Sequence, residues 1–321
     1  MVQRPPLTFW HFVIYSLRIR RVEYRIAEIP ILLIPVFLSI TDIAVFGTWP
    51  FWEGVLIFFF LFTFGDLVNC LADRDLDAVY KPQLTEAVYG LGIKNVIAQA
   101  AFSGLAAVLL SIDLSWRTGR WFLLPGTLFG LLTAYAYSVP PLRLKGRGLW
   151  QLGFYWIGLF AAPMLFSAFV VSASPPWETY IVSLAYGLLQ TGVLLVNTAE
   201  DYPEDERENV RTVIIALGLH RGLRGAVWLA SAGAASLLAA FATTYWNRQV
   251  PRAGWFALVP LGAAAALVVI SLGKLSRHIR AMNLPDAIAQ VKKSGKWVPA
   301  WITAVALSSL LASIVAFIGR R

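Results

Sequence analysis

Two groups of side chains in this sequence share one spacing: Asn69-x-x-x-Asp73-x-x-x-Asp77 and Asn197-x-x-x-Asp201-x-x-x-Asp205. Residues four apart lie on one face of a helix, so each group projects three oxygen-bearing side chains in one direction. Each group also closes a very apolar segment, and carboxylates at the edge of hydrocarbon repel one another and are costly to desolvate. A hard divalent cation that bridges to phosphate oxygens answers both problems. Mg²⁺ characteristically takes one or two carboxylates plus substrate phosphates. A single such triplet would be read as a solvated helix end. Two with the same spacing, 128 positions apart, point to a metal–diphosphate site. Asn69 and Asn197 would be neutral oxygen ligands or would orient the carboxylates. Asp75, Glu200, Glu204 and Glu206 lie off the shared faces and are expected to be solvated.

The elements that must hold these groups are membrane helices. Of 321 residues, 58% are hydrophobic and only 14% charged. A span needs roughly 20 apolar residues. Nine such stretches occur, near 26–47, 51–72, 95–112, 121–137, 150–172, 178–200, 224–244, 254–273 and 299–318. The connections are too short for a separate soluble domain. The expected fold class is therefore all-α: a polytopic membrane protein of nine transmembrane helices in a single domain, 1–321. The repeated motif divides it into two four-helix halves, spans 1–4 and 5–8, with the ninth closing the bundle. Repeat symmetry places a binding site between halves.

Basic residues orient the chain. With a cytoplasmic N-terminus, 21 of the 27 Lys and Arg residues fall on the cytoplasmic side, which also carries both acidic motifs. The net charge of +9 suits an anionic inner leaflet, and its dispersal over loops argues against a nucleic-acid partner. Cys70 is the only cysteine, and His11, His220 and His278 are scattered, which disfavours cysteine-rich metal sites, zinc and haem. Residues 8–25 read as an interfacial amphipathic helix, with Phe9, Trp10, Phe12 and Tyr15 set against Arg18, Arg20 and Arg21. The segment 274–297 is basic and is expected to lie on the membrane surface.

These motifs resemble those of the UbiA superfamily of intramembrane prenyltransferases. Asn69, Asp73 and Asp77 match that family's first motif, and Asp201 and Asp205 its second. Tyr137-Ser138-x-Pro140-Pro141-x-Arg143-Leu144-Lys145 resembles its loop after the fourth helix, and Arg211-Thr212 followed by Leu217-Gly218 its segment after the second motif. The resemblance implies two Mg²⁺ ions, held by Asp73, Asp77, Asp201 and Asp205, that clamp an isoprenyl diphosphate. Metal ions there would neutralise charge on the leaving group. Lys81, Arg143 and Lys145 are candidates for further diphosphate contacts, with Tyr137 and Arg25 as weaker ones; positive-inside topology explains the same cations. An allylic cation formed there needs shielding from water, and Phe58, Phe59, Phe60, Phe62, Phe64, Phe154, Tyr155 and Trp156 lie on spans suited to line that chamber.

The implied partners are an isoprenyl diphosphate donor, a lipid-soluble or amphipathic acceptor, and the bilayer. Lys81-Pro82-Gln83 stands where many aromatic-acceptor members carry an Arg-Pro-rich segment, so the acceptor stays open. Three functions remain: transfer to an acceptor, acceptor-free terpene cyclisation, and a non-catalytic membrane carrier. Charges gathered at one interface rather than at midplane favour the enzymes over the carrier.

Overall fold

The computed structural model describes residues 8–22 and 25–320, and among these there is no strand, only an isolated bridge between Arg147 and Arg211. Among the described residues, seven segments are long and apolar enough to cross a membrane: Trp49–Tyr80, Ile93–Thr118, Trp150–Val171, Trp177–Glu200, Leu219–Asn247, Arg252–Ala281 and Val298–Ile318. Two of the nine expected spans fall short. The helix α2 (Arg25–Ser39) has 15 residues with Pro30 and Pro35 inside it, and α6 (Leu123–Ser138) has 16. At 1.5 Å per residue neither reaches the ~30 Å of a bilayer core.

The chain divides into two compact units. One comprises the chain up to Arg25 together with Glu53–Arg143; the other comprises Ile26–Trp52 and Leu144–Arg321. These are not the expected halves, because the first apolar segment groups with the second half of the sequence. The contacts that draw it there are specific. Ser39 Oγ lies 3.2 Å from Thr179 Oγ1, Arg248 donates to the Leu38 carbonyl at 2.6 Å, and Arg320 donates to the Ile40 carbonyl at 3.0 Å. The two arginines satisfy carbonyls at the C-terminal end of α2 that have no partner within the helix.

The first unit contains α1 (Phe9–Ile19), most of α3 (Trp49–Tyr80), α4 (Pro82–Leu91), α5 (Ile93–Thr118) and α6. As expected, α1 is amphipathic, capped by Thr8 and exposing Phe9 and Trp10; positions 23 and 24 of the expected segment lie outside the described residues. Tyr15 turns inward instead, its ring against Gly90 and its hydroxyl donating to Glu86 at 2.8 Å on α4. At 32 residues, α3 is ~48 Å long, well beyond the bilayer core. Its surplus turns carry the first acidic motif.

The second unit contains α7 (Trp150–Gly153), a π-helical stretch (Phe154–Ala161), α8 (Ala162–Val171), α9 (Trp177–Glu200), α10 (Tyr202–Arg207), α11 (Val213–Leu217), α12 (Leu219–Asn247), α13 (Leu258–His278), α14 (Leu284–Gly295) and α15 (Val298–Ile318). The most enclosed of these is α9, with 72% of its apolar window buried. It packs on the Ala-rich α12 at very close range. A Cβ on Gly192 would sit 2.6 Å from the Ala230 nitrogen, and one on Gly233 would sit 2.6 Å from the Leu189 Cα. Small residues permit that approach, and dispersion between the two backbones holds the pair.

Candidate active site

The first motif lies on the last turns of α3. Asp73 and Asp77 are both buried. Asn69 donates to Asp73 Oδ2 at 3.1 Å and to Ser138 Oγ, at the end of α6, at 3.0 Å. Asn69 therefore orients Asp73, one of the two roles open to it. Past α6 the chain passes through the cis Pro140–Pro141 bond and turns at Arg143, whose φ is +37°. That turn brings the Arg143 guanidinium to 3.7 Å from Asp73 Oδ1. Arg143 and the first motif are thus one electrostatic group. Lys81 directly precedes α4, and its backbone N–H donates to the Asp77 carbonyl at 2.8 Å, so it stays within one turn of the motif. Tyr137 is half-buried in the last turn of α6.

Arg25 is committed elsewhere within this unit. It pairs with Asp66 at 2.7 Å, donates to the Arg20 carbonyl at 3.0 Å, and lies over the Phe59 ring at 5.7 Å. Asp66 escaped the sequence reading because it lies outside the i, i+4 pattern. Asp75 is exposed, as expected, accepting from Tyr89 at 2.9 Å.

The second motif straddles a break. Asn197, half-buried, is on the last turn of α9; Asp201 caps that helix, and Pro203 restarts it as α10. The Asp201 carbonyl still accepts from the Asp205 N–H at 2.8 Å, so the two aspartates keep their one-turn relation. The break also brings in Glu204, which the sequence assigned to solvent. Glu204 lies beside Asp201 and 3.4 Å from Lys292 on α14. Glu200, also expected in solvent, has its carboxylate against Gly295 of α14. Glu206 is exposed, as expected.

These neighbours perturb the titration. Burial first, and the Asp201 charge second, push the Asp205 carboxyl up to about 7; Glu204 adds to this, while the Thr212 hydroxyl and the Lys145 ammonium oppose it. Burial and the Asp201 contact likewise raise Glu204, against the pull of Lys292. The donor set suits a hard cation: carboxylate oxygens that are poorly solvated and close to one another along each motif. Among the described residues, no three His, Cys, Asp or Glu side chains are gathered closely enough to hold a metal as they stand.

The segment after the second motif is stitched to the loop that carries Lys145. The Gly148 N–H donates to the Arg211 carbonyl at 2.7 Å, and the Val213 N–H donates to Gln151 Oε1 at 3.0 Å. Gln151, itself buried, also donates to the Tyr155 hydroxyl at 3.1 Å, which lies 3.3 Å from Thr198 Oγ1 on α9. No local pattern flags Gln151, because its partner is 62 residues away. Of the aromatic candidates, Phe154, Tyr155 and Trp156 lie on the π-helical stretch, a distortion that recurs at functional sites. Trp156 donates to the Leu184 carbonyl at 2.8 Å. Phe58 and Phe62 stack on each other at 4.5 Å, Phe64 packs on Gly104, Phe60 meets Phe102 at 5.9 Å, and Phe59 is exposed beneath Arg25.

Comparison with known proteins places this arrangement in context. The bacteriochlorophyll synthase 33 kDa chain of Cereibacter sphaeroides is 30% identical over 186 residues, covering 54% of this chain and 58% of that protein. The chloroplastic chlorophyll synthase of Arabidopsis thaliana is 27% identical over 167 residues, covering 47% of this chain and 39% of that protein. The match therefore spans little more than half the length of the first relative and less of the second. Among solved structures, a UbiA homolog from Archaeoglobus fulgidus bound to GPP and Mg²⁺ superposes with a TM-score of 0.61 at 14% identity, over 91% of this chain and 99% of that one. A digeranylgeranylglyceryl phosphate synthase gives 0.65 at 17% identity, over 94% and 99%. At such identities the likeness is one of fold. The pattern of the UbiA prenyltransferase family matches residues 29–286, most of the sequence, and the chain belongs to that family of membrane-embedded enzymes.

Proposed function

We propose that this protein is a Mg²⁺-dependent intramembrane prenyltransferase that ionises an isoprenyl diphosphate and passes the prenyl group to a lipid-soluble or amphipathic acceptor. The observation that carries this reading is the crowding of Asp201, Glu204 and Asp205, whose burial and mutual repulsion hold the Asp205 carboxyl at about 7. A bound divalent cation supplies positive charge there and Lewis-acid neutralisation of the diphosphate leaving group. Asp73 and Asp77, with Asn69, and Asp201 and Asp205, with Asn197, are the residues assigned to hold it, as two ions. Arg143, already 3.7 Å from Asp73, together with Lys81 and Lys145, is assigned to the diphosphate oxygens, where charge-assisted hydrogen bonds are strongest. Tyr137 is assigned a hydrogen bond there. Arg25 is reached only by breaking its pair with Asp66. Relatives in the family support the donor: homologues from Archaeoglobus fulgidus are known bound to GPP and to DMAPP, each with Mg²⁺. The two synthase relatives support a macrocyclic pigment precursor as one acceptor to test.

We also assign α2 and α6 to the membrane, giving nine spans in one domain over 1–321, with the acidic motifs cytoplasmic. Lys and Arg bias supports that orientation.

The test is diphosphate release by purified protein in nanodiscs. Geranyl, farnesyl and geranylgeranyl diphosphates are supplied with Mg²⁺, with and without acceptors, and products are identified by mass spectrometry. Acceptor-dependent release with a heavier conjugate is the expected result, lost on chelation and in Asp73→Ala and Asp201→Ala. Release without acceptor, giving a cyclic hydrocarbon, would replace transfer by cyclisation. Near-normal turnover in either variant would remove the metal assignment.

A further inference from the structure

A polar cavity lies in the carboxy-terminal part of the chain, and it shares no residue with the acidic motifs. Its volume is about 630 Å³, within the range of small-molecule sites. Lys274, Arg277 and His278 line it from the last turns of α13, and Gln290 and Ser294 from one face of α14. Trp297 and Trp301 close it at the start of α15. The polar groups are cations, an amide, hydroxyls and indole N–H groups; no carboxylate lines it. All three basic residues are exposed, and none is paired with an acid among the described residues. Arg277 donates Nε to the Gly273 carbonyl at 3.2 Å, which anchors the guanidinium at its base.

Unpaired cations in a concave site call for an anion, and the surroundings say which kind. The cavity lies between the ends of two helices long and apolar enough to cross the membrane, Arg252–Ala281 and Val298–Ile318. Trp297, 63% exposed at its rim, is the residue type that sits at lipid headgroup depth. Basic clusters at such a boundary attract anionic headgroups. We propose that this cavity binds the phosphate of an anionic lipid headgroup, with Lys274, Arg277 and His278 on the phosphate oxygens and the acyl chains running along α13 and α15. The opposite side of α14 meets the second motif: Lys292 reaches Glu204 at 3.4 Å, and Gly295 lies against Glu200. The lipid would thus brace the helix that packs on the motif. None of this depends on what the aspartates bind.

The test uses the full chain in neutral detergent. Dioleoyl phosphatidic acid, dioleoyl glycerol with the same tails and no phosphate, and inorganic phosphate are titrated separately, and bound lipid is counted by native mass spectrometry. Phosphatidic acid is expected to bind and dioleoyl glycerol not. The charge-removing pair K274Q/R277Q is expected to weaken binding at least about tenfold, ~1.4 kcal/mol, and the charge-preserving pair K274R/R277K to retain it. Should the first pair fail to fold, Ser294→Leu, which narrows the cavity from the α14 side with its charges intact, is expected to show a loss in the same direction. Equal binding of dioleoyl glycerol, or unchanged phosphatidic acid binding in K274Q/R277Q or Ser294→Leu, would overturn the proposal. Inorganic phosphate binding as tightly as the lipid would overturn the lipid assignment and leave a free-phosphate site.

Discussion

Replacing Asp205 by asparagine should make the metal-free protein more stable while removing its chemistry. The carboxyl stands at about 7 against an ordinary 3.8, so the fold holds its proton more tightly than the unfolded chain does. A group raised in this way contributes stability that is full below pH ~4 and is lost as pH climbs through about 7. At 1.36 kcal/mol per pH unit, the loss approaches ~4 kcal/mol by pH 8. Proton sharing with Asp201 and Glu204 and residual water make about 2 kcal/mol the working figure. An asparagine carries no charge at any of these pH values and keeps an oxygen for the Thr212 hydroxyl. In the presence of a chelator, Asp205→Asn should therefore unfold at higher temperature than the wild type at pH 8. At roughly 2–4 °C per kcal/mol, the gap is several degrees at pH 8; it should narrow to about a third of that at pH 5 and close only below pH ~4. The assay is intrinsic-fluorescence melting in detergent at the two pH values, with and without excess Mg²⁺. Mg²⁺ should raise the wild-type melting temperature at pH 8 much more than that of the variant. Equal melting of the two proteins at pH 8 without metal would refute the crowding argument, whatever the variant does to turnover.

Two further substitutions probe what positions the second motif. Gly233→Ala would force a Cβ onto the Leu189 backbone of α9, overpacking the α9–α12 contact by ~1–3 kcal/mol; a melting temperature equal to wild type would show that the helices separate freely. Gln151→Ala strands the buried Val213 N–H, an expected cost of ~1–3 kcal/mol, and should lower hydrogen-exchange protection at Val213. Gln151→Glu keeps the acceptor and should restore most of that protection.

Both motifs were legible because their geometry is local. A spacing of four fixes a shared helical face wherever the helix ends up, and hydropathy fixes that the helix is a membrane element. The same logic failed at Glu204: the break at Asp201 and Pro203 changes which face meets which, and spacing read through an unbroken helix misplaced it. Hydropathy also drew α2 and α6 longer than they are, since apolar composition does not reveal where a helix begins and ends.

By itself, the sequence determined an all-helical membrane chain, two acidic triplets and the cations near them. Only the tertiary structure decided which cation serves which acid. Arg143 reaches Asp73 and Lys145 is felt at Asp205, whereas Arg25, an equal candidate by charge, is taken by Asp66. Only the fold, likewise, tied Gln151 to Val213 and α14 to Glu204. The reason is one of range. Backbone geometry sets the neighbours of a residue within a helical turn. Across tens of residues, partners are chosen by how helices pack and where loops bend, which depends on the whole chain at once.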